Sequence, residues 1–146
     1  MRLRDDIPPT RLCSLYSSTT STQNYLRGIQ VSDANCKVTF TAIFPGCYTA
    51  RMPHIHVEVY PSLAAATSYA NKIKTTKFAL VREVCSKVYN TVSGYHASRA
   101  TLNGITFSAD NVFSDLSSSH LSAQTISPSG DTTNGYTGTI TLGITI

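Results

Sequence analysis

Apolar and polar positions alternate along much of this chain. His54-Ile55-His56-Val57-Glu58-Val59-Tyr60 alternates with period two, as a half-buried strand does. Gly28-Ile29-Gln30-Val31 and Val38-Thr39-Phe40-Thr41-Ala42-Ile43 read as a strand pair around a Ser32-Asp33-Ala34-Asn35 turn. Pro45-Gly46 is a turn signal, and Lys77-Phe78-Ala79-Leu80-Val81 reads as a further strand. The pattern departs from period two in few places. Residues 61–74 form a connection with room for a helical turn, and Val84 to Tyr89 suits a short helix. Leu102 to Phe107 fits strand or loop, and Ser117 to Ser129 is polar enough for a surface loop. Asn134-Gly135 is a tight-turn dipeptide and Tyr136 to Ile146 alternates as a final strand. Several short strands separated by turns predict an all-β fold, an antiparallel β-sandwich with short helical turns in its connections.

Composition narrows the function classes. The 146 residues suffice for a single domain, with 1–15 irregular around Pro8-Pro9. Only 14% of residues are charged, and Ser and Thr fill the gap. The net charge is +4, but Arg2, Arg4, Arg11, Lys72, Lys74 and Lys77 are scattered. A nucleic-acid interface needs a dense basic stripe, so none is expected. No apolar run approaches the length of a membrane span. Cys13, Cys36, Cys47 and Cys85 permit two disulfides in three connectivities or free thiols. The low charge and high Ser/Thr content favour an extracellular setting whose leader is not in this chain; the cytosol is the alternative. Oligomeric state is not legible.

Tyr48-Thr49-Ala50-Arg51-Met52-Pro53-His54-Ile55-His56 concentrates the candidate chemistry. On a strand, residues two apart share a face, so both imidazoles converge while Ile55 faces away. A phenol ionises at neutral pH only beside something strongly electropositive. Two imidazoles with a phenolate therefore favour a hard ferric ion over zinc.

With P-G-x-Y before R-x-x-H-x-H, the segments Tyr25–Asn35 and Val38–Tyr60 resemble the intradiol ring-cleavage dioxygenases, especially their small intradiol dioxygenase-like branch. The likeness continues through Thr75–Leu80 and Ser108–Asp115. It implies an immunoglobulin- or transthyretin-like sandwich, here lacking N-terminal strands, and one Fe(III) per chain. The implied ligands are Tyr16, Tyr48, His54 and His56, with Arg51 beside the bound diol and Tyr48 also accepting a proton. The implied reaction cleaves a small catechol with O2 to a cis,cis-muconate-type product. Lys77 stands where the family usually has Gln, facing the diol pocket or outward. Gln30 either approaches the substrate or is a plain sheet residue. A non-catalytic binding module that lost competence is the competing reading.

Overall fold

The computed structural model describes residues 28–145. They fall into two compact units, one of 28–43 and 57–76, the other of Phe44–His56 and Lys77–Thr145. Their elements are five strands, three α-helices and three single 3-10 turns at Ala65–Thr67, Tyr69–Asn71 and Phe107–Ala109. This is a small mixed α/β fold and corrects the all-β sandwich expected from the alternation.

Strands β1 (His54–Val59), β2 (Lys74–Leu80) and β3 (Thr125–Ile126) form one sheet in the order β1-β2-β3. Leu80 N donates to Pro53 O and Ile73 N to Val59 O, so β1 and β2 run in opposite directions. β3 instead lies parallel to β2, with Ala79 opposite Thr125 and Leu80 opposite Ile126. A parallel neighbour requires a crossover connection, and a sandwich of hairpins has no place for one. The crossover is built from α1 (Arg82–Thr91), α2 (His96–Asn103) and α3 (Ser118–Ala123). α1 buries Cys85, Val88 and Tyr89 at helical spacing. It is longer than the Val84–Tyr89 helix expected. The Arg82 guanidinium donates to Leu102 O at 2.6 Å and to Ile105 O at 2.5 Å, occupying carbonyls at and just past the end of α2. Leu102 therefore closes a helix rather than opening a strand. Part of the expected 117–129 loop is α3, whose start is capped by the Ser117 hydroxyl accepting from His120 N.

The core of this unit comprises Met52, Phe78, Ala79, Leu80, Cys85, Val88, Tyr89, Leu102, Ile105, Phe113 and Ile126. Tyr89, Tyr95 and Tyr136 serve as packing aromatics. The Tyr89 ring stacks on Tyr95 at 5.4 Å, and Phe44 meets Tyr89 and Tyr136 edge-on. The final alternating stretch pairs only briefly, as β5 (Gly135–Thr137) against β4 (Ser129–Asp131), antiparallel. Beyond it, a side chain at Gly138 would collide with Ile126, so the missing Cβ is what lets the chain pass there.

The other unit carries the Asp33 turn. Asp33 Oδ1 accepts from Asn35 N and Lys37 N, while Cys36 adopts the left-handed region at φ 59°. The flanking residues 28–31 and 38–43, expected as a strand pair, are not in strands. Val57 and Ala66 are buried, and Glu58 accepts from Tyr60 Oη at 2.6 Å with Lys72 at 3.8 Å.

Candidate metal centre

The site is laid out by a turn, a short buried link and the first half of β1. Arg51 N donates to Tyr48 O at 3.1 Å, closing a four-residue turn. Ala50, its third residue, has φ 59°, the conformation that type II turns reserve for glycine. A Cβ in that region costs roughly 1–2 kcal/mol. Ala50→Gly is therefore expected to raise stability by about 0.5–1 kcal/mol, part of the relief being offset by the greater freedom of glycine in the unfolded chain. A denaturant midpoint that does not rise would show the turn to be unstrained.

After the turn, Met52 and Pro53 are buried and lead into His54. The expectation that His54 and His56 share a face is met: their Nε2 atoms are 3.0 Å apart and their rings 4.8 Å apart. His54 Nδ1 lies 2.6 Å from Met52 O. A carbonyl only accepts, so Nδ1 carries the hydrogen and Nε2 of His54 keeps its lone pair. In the neutral pair, His56 then donates from Nε2. That proton must move to Nδ1 before both Nε2 atoms can face one ion.

The spacing fits a metal. Two nitrogens bound at right angles to one ion, with bonds of about 2.1 Å, lie about 3.0 Å apart; a tetrahedral angle would need about 3.4 Å. The pair, joined by a hydrogen bond at this distance, is close enough for both nitrogens to serve one ion. Both imidazoles are held below their usual pKa, His56 at about 4. Only His54 is half-buried, and His56 lies exposed on β1, where contact with solvent limits the size of the lowering; desolvation is the first cause for each. The His54 imidazole, Lys77 and Arg51 add to it at His56, and Arg51 and Lys77 also lower His54, against raising effects from Met52 O and Asp110. At neutral pH both rings are therefore uncharged, the state in which imidazole binds metal.

Lys77 is half-buried on β2. Its charge acts on both His54 and His56 from the neighbouring strand. With Arg51 it gives the His pair a cationic surround. Tyr48 is 49% exposed at the first corner of the turn. Gln30 is exposed and belongs to the other compact unit. Tyr16 lies outside the described residues. Among the described residues, no group of three or more His, Cys, Asp or Glu side chains converges to hold a metal. A further protein donor within them would have to be of another kind, such as a phenol.

Cys47 carries no disulfide, and neither do Cys36 and Cys85. Burial pushes the Cys47 thiol up to about 11 and Cys85 to about 12, so neither is a thiolate at neutral pH. His96 and His120 are exposed. Among the described residues no helix is long and apolar enough to cross a membrane.

One participant escaped sequence reasoning. Asp110 is 1% exposed and accepts hydrogen bonds from Met52 N, Val112 N and Phe113 N. The Asp110-Asn111-Val112-Phe113 segment reads as a turn that buries Phe113, which it is. The bond to Met52 has no sequence signal, because it joins residues 58 apart.

Comparison with known proteins gives no match to any protein-family profile, curated protein or solved structure.

Proposed function

We propose that this chain binds a ferric ion through His54 and His56 and uses it to cleave catechol-type diols with O2. The single observation behind this reading is the 3.0 Å Nε2–Nε2 separation of two neutral imidazoles. Supporting it is the order of residues, with Tyr48 and Arg51 on the turn that leads into the pair. Tyr48 supplies the third ligand and Tyr16 the fourth. The ion, once bound, supplies Lewis acidity and holds a diol and its electrons where O2 can reach them.

The chain's own residues would do the rest. Tyr48 Oη takes a proton from a diol hydroxyl as the substrate seats. Arg51 offsets negative charge that builds on the substrate ring. Lys77, on the neighbouring strand, adds a second cation, which favours a diol carrying an acidic substituent. The cationic surround would repel a bare metal ion, and it matches a site completed by anionic phenolates and a diolate.

The test is the visible spectrum of iron-loaded protein, wild type beside Tyr48→Phe and Tyr16→Phe. A broad phenolate-to-iron band is expected, weakened by roughly half in each variant and shifted by anaerobic catechol. Oxygen uptake with catechol should follow. A colourless iron-loaded protein would remove tyrosine ligation from the proposal.

A second reading is a non-catalytic module that binds a metal or a diol without turnover. The mixed α/β architecture favours it, since the dioxygenase resemblance implies a sandwich that this fold is not. A coloured protein that shifts with catechol yet consumes no oxygen would select it.

A further inference from the structure

Asp110 makes contacts that the proposed chemistry does not use. Its carboxylate is almost wholly buried. Oδ2 accepts from the backbone N–H of Met52, whose carbonyl in turn accepts from His54 Nδ1 at 2.6 Å. Oδ1 accepts from Val112 N at 2.5 Å and Phe113 N at 2.8 Å, and the Phe113 ring lies edge-on to the His54 imidazole at 5.7 Å. One carboxylate thus ties down two of the groups that touch His54: the Met52 backbone, whose carbonyl receives its Nδ1 hydrogen, and the Phe113 ring that packs edge-on with it.

We infer that Asp110 is the positioning residue of this site, fixing the tautomer and orientation of His54 through the Met52 backbone and through Phe113. A charged acceptor strengthens the bond from Met52 N–H, and because that N–H and the Met52 carbonyl flank one Cα, anchoring the first fixes the direction in which the second points at Nδ1–H. That favours the tautomer with its lone pair on Nε2, the nitrogen facing His56. Partners one step behind a ligand commonly govern metal affinity in this way. The metal arm of the inference rests on the ligand reading of His54; the tautomer arm does not.

The test compares Asp110→Asn with Leu102→Ala, a buried change far along the chain that destabilises without touching His54. In the metal-free full chain, ring-nitrogen NMR shifts at neutral pH report the His54 tautomer. Wild type and L102A are expected to show Nδ1–H alone, and D110N a mixture of both tautomers. Cobalt(II) titration is expected to weaken by roughly 10-fold or more in D110N and by less than about 2-fold in L102A. A folded D110N with the wild-type tautomer would overturn the inference, as would equal tautomer mixing in L102A. A mixed tautomer in D110N with no cobalt binding even in wild type would keep the positioning role and remove the metal reading. Should D110N not fold, exchange of the His54 Nδ1 proton in wild type decides. Protection is expected, and exchange at the rate of free imidazole would overturn the inference.

Discussion

His56→Ala is expected to reduce affinity for iron, or for cobalt as a probe, by more than the roughly 10–100-fold typical of losing a residue behind a ligand. The reason is geometric. The ion would be left with His54 alone at that corner, in the field of Arg51 and Lys77, the two cations that already lower both imidazoles. His54→Ala should lose as much and also free the Met52 carbonyl. Isothermal titration of the two variants checks this, and wild-type affinity in either would show that the pair is no ligand set.

The same pair fixes a pH dependence whose sign follows from its depressed pKa. An unfolded His titrates near 6.5, whereas folded His56 titrates at about 4. Between those values the unfolded chain binds a proton that the folded chain refuses, so stability falls as pH drops from about 6.5 to about 4 and levels off below. The His pair's own share of metal affinity should hold from neutral pH to about 5 and decline as His56 protonates near 4, superimposed on the steady loss that proton competition at the tyrosinate ligands causes as pH falls. Denaturant midpoints measured across this window should slope less in His56→Ala than in wild type. Parallel slopes would place the depressed group elsewhere.

Much of this site was legible because its residues are local. H-x-H on an alternating run needs only strand geometry to bring two imidazoles together, and β1 supplies it. The Asp33 turn and the Val84–Tyr89 part of α1 were similarly visible, since turns and periodicity act within a few residues. What was not legible depends on distant partners. Alternation from Tyr136 to Ile146 satisfies strand patterning, but a strand exists only where a ladder forms, and β4 offers just three residues. β3 is two residues in a Ser-rich stretch, made a strand by the β2 edge beside it. α2, His-Ala-Ser-Arg-Ala-Thr-Leu-Asn, buries only Leu102 and has no side-chain cap, so neither periodicity nor capping announced it. The sandwich expectation fails at this level, because the alternation of strand-like segments carries no signal of the helices that make β3 parallel to β2. Asp110 was missed for the same reason, its partner Met52 being remote in sequence.

Phe113→Ala is expected to be the most destabilising single core change at the site, by about 3–5 kcal/mol. Phe113 is 2% exposed and is the largest of the fully buried side chains. Its ring meets Phe107 edge-on at 5.9 Å and His54 edge-on at 5.7 Å. Truncation removes the apolar burial, both aromatic contacts and the wall behind one imidazole, and the backbone is too constrained to close the gap. Phe113 N is pinned to Asp110 Oδ1, which also holds Val112 N, so the segment cannot collapse without breaking a buried carboxylate's bonds. The consequence for function should appear even in protein that stays folded. With its packing surface gone, His54 can rotate about its Cα–Cβ bond, and the 3.0 Å approach of the two Nε2 atoms is no longer enforced. Phe113→Leu, which keeps most of the volume but not the flat ring, should cost less stability while still loosening the pair. Urea midpoints and cobalt titrations on both variants separate the two effects. Loss of stability without any loss of affinity would mean that Phe113 supports the core alone, and that β1 by itself holds the imidazoles together.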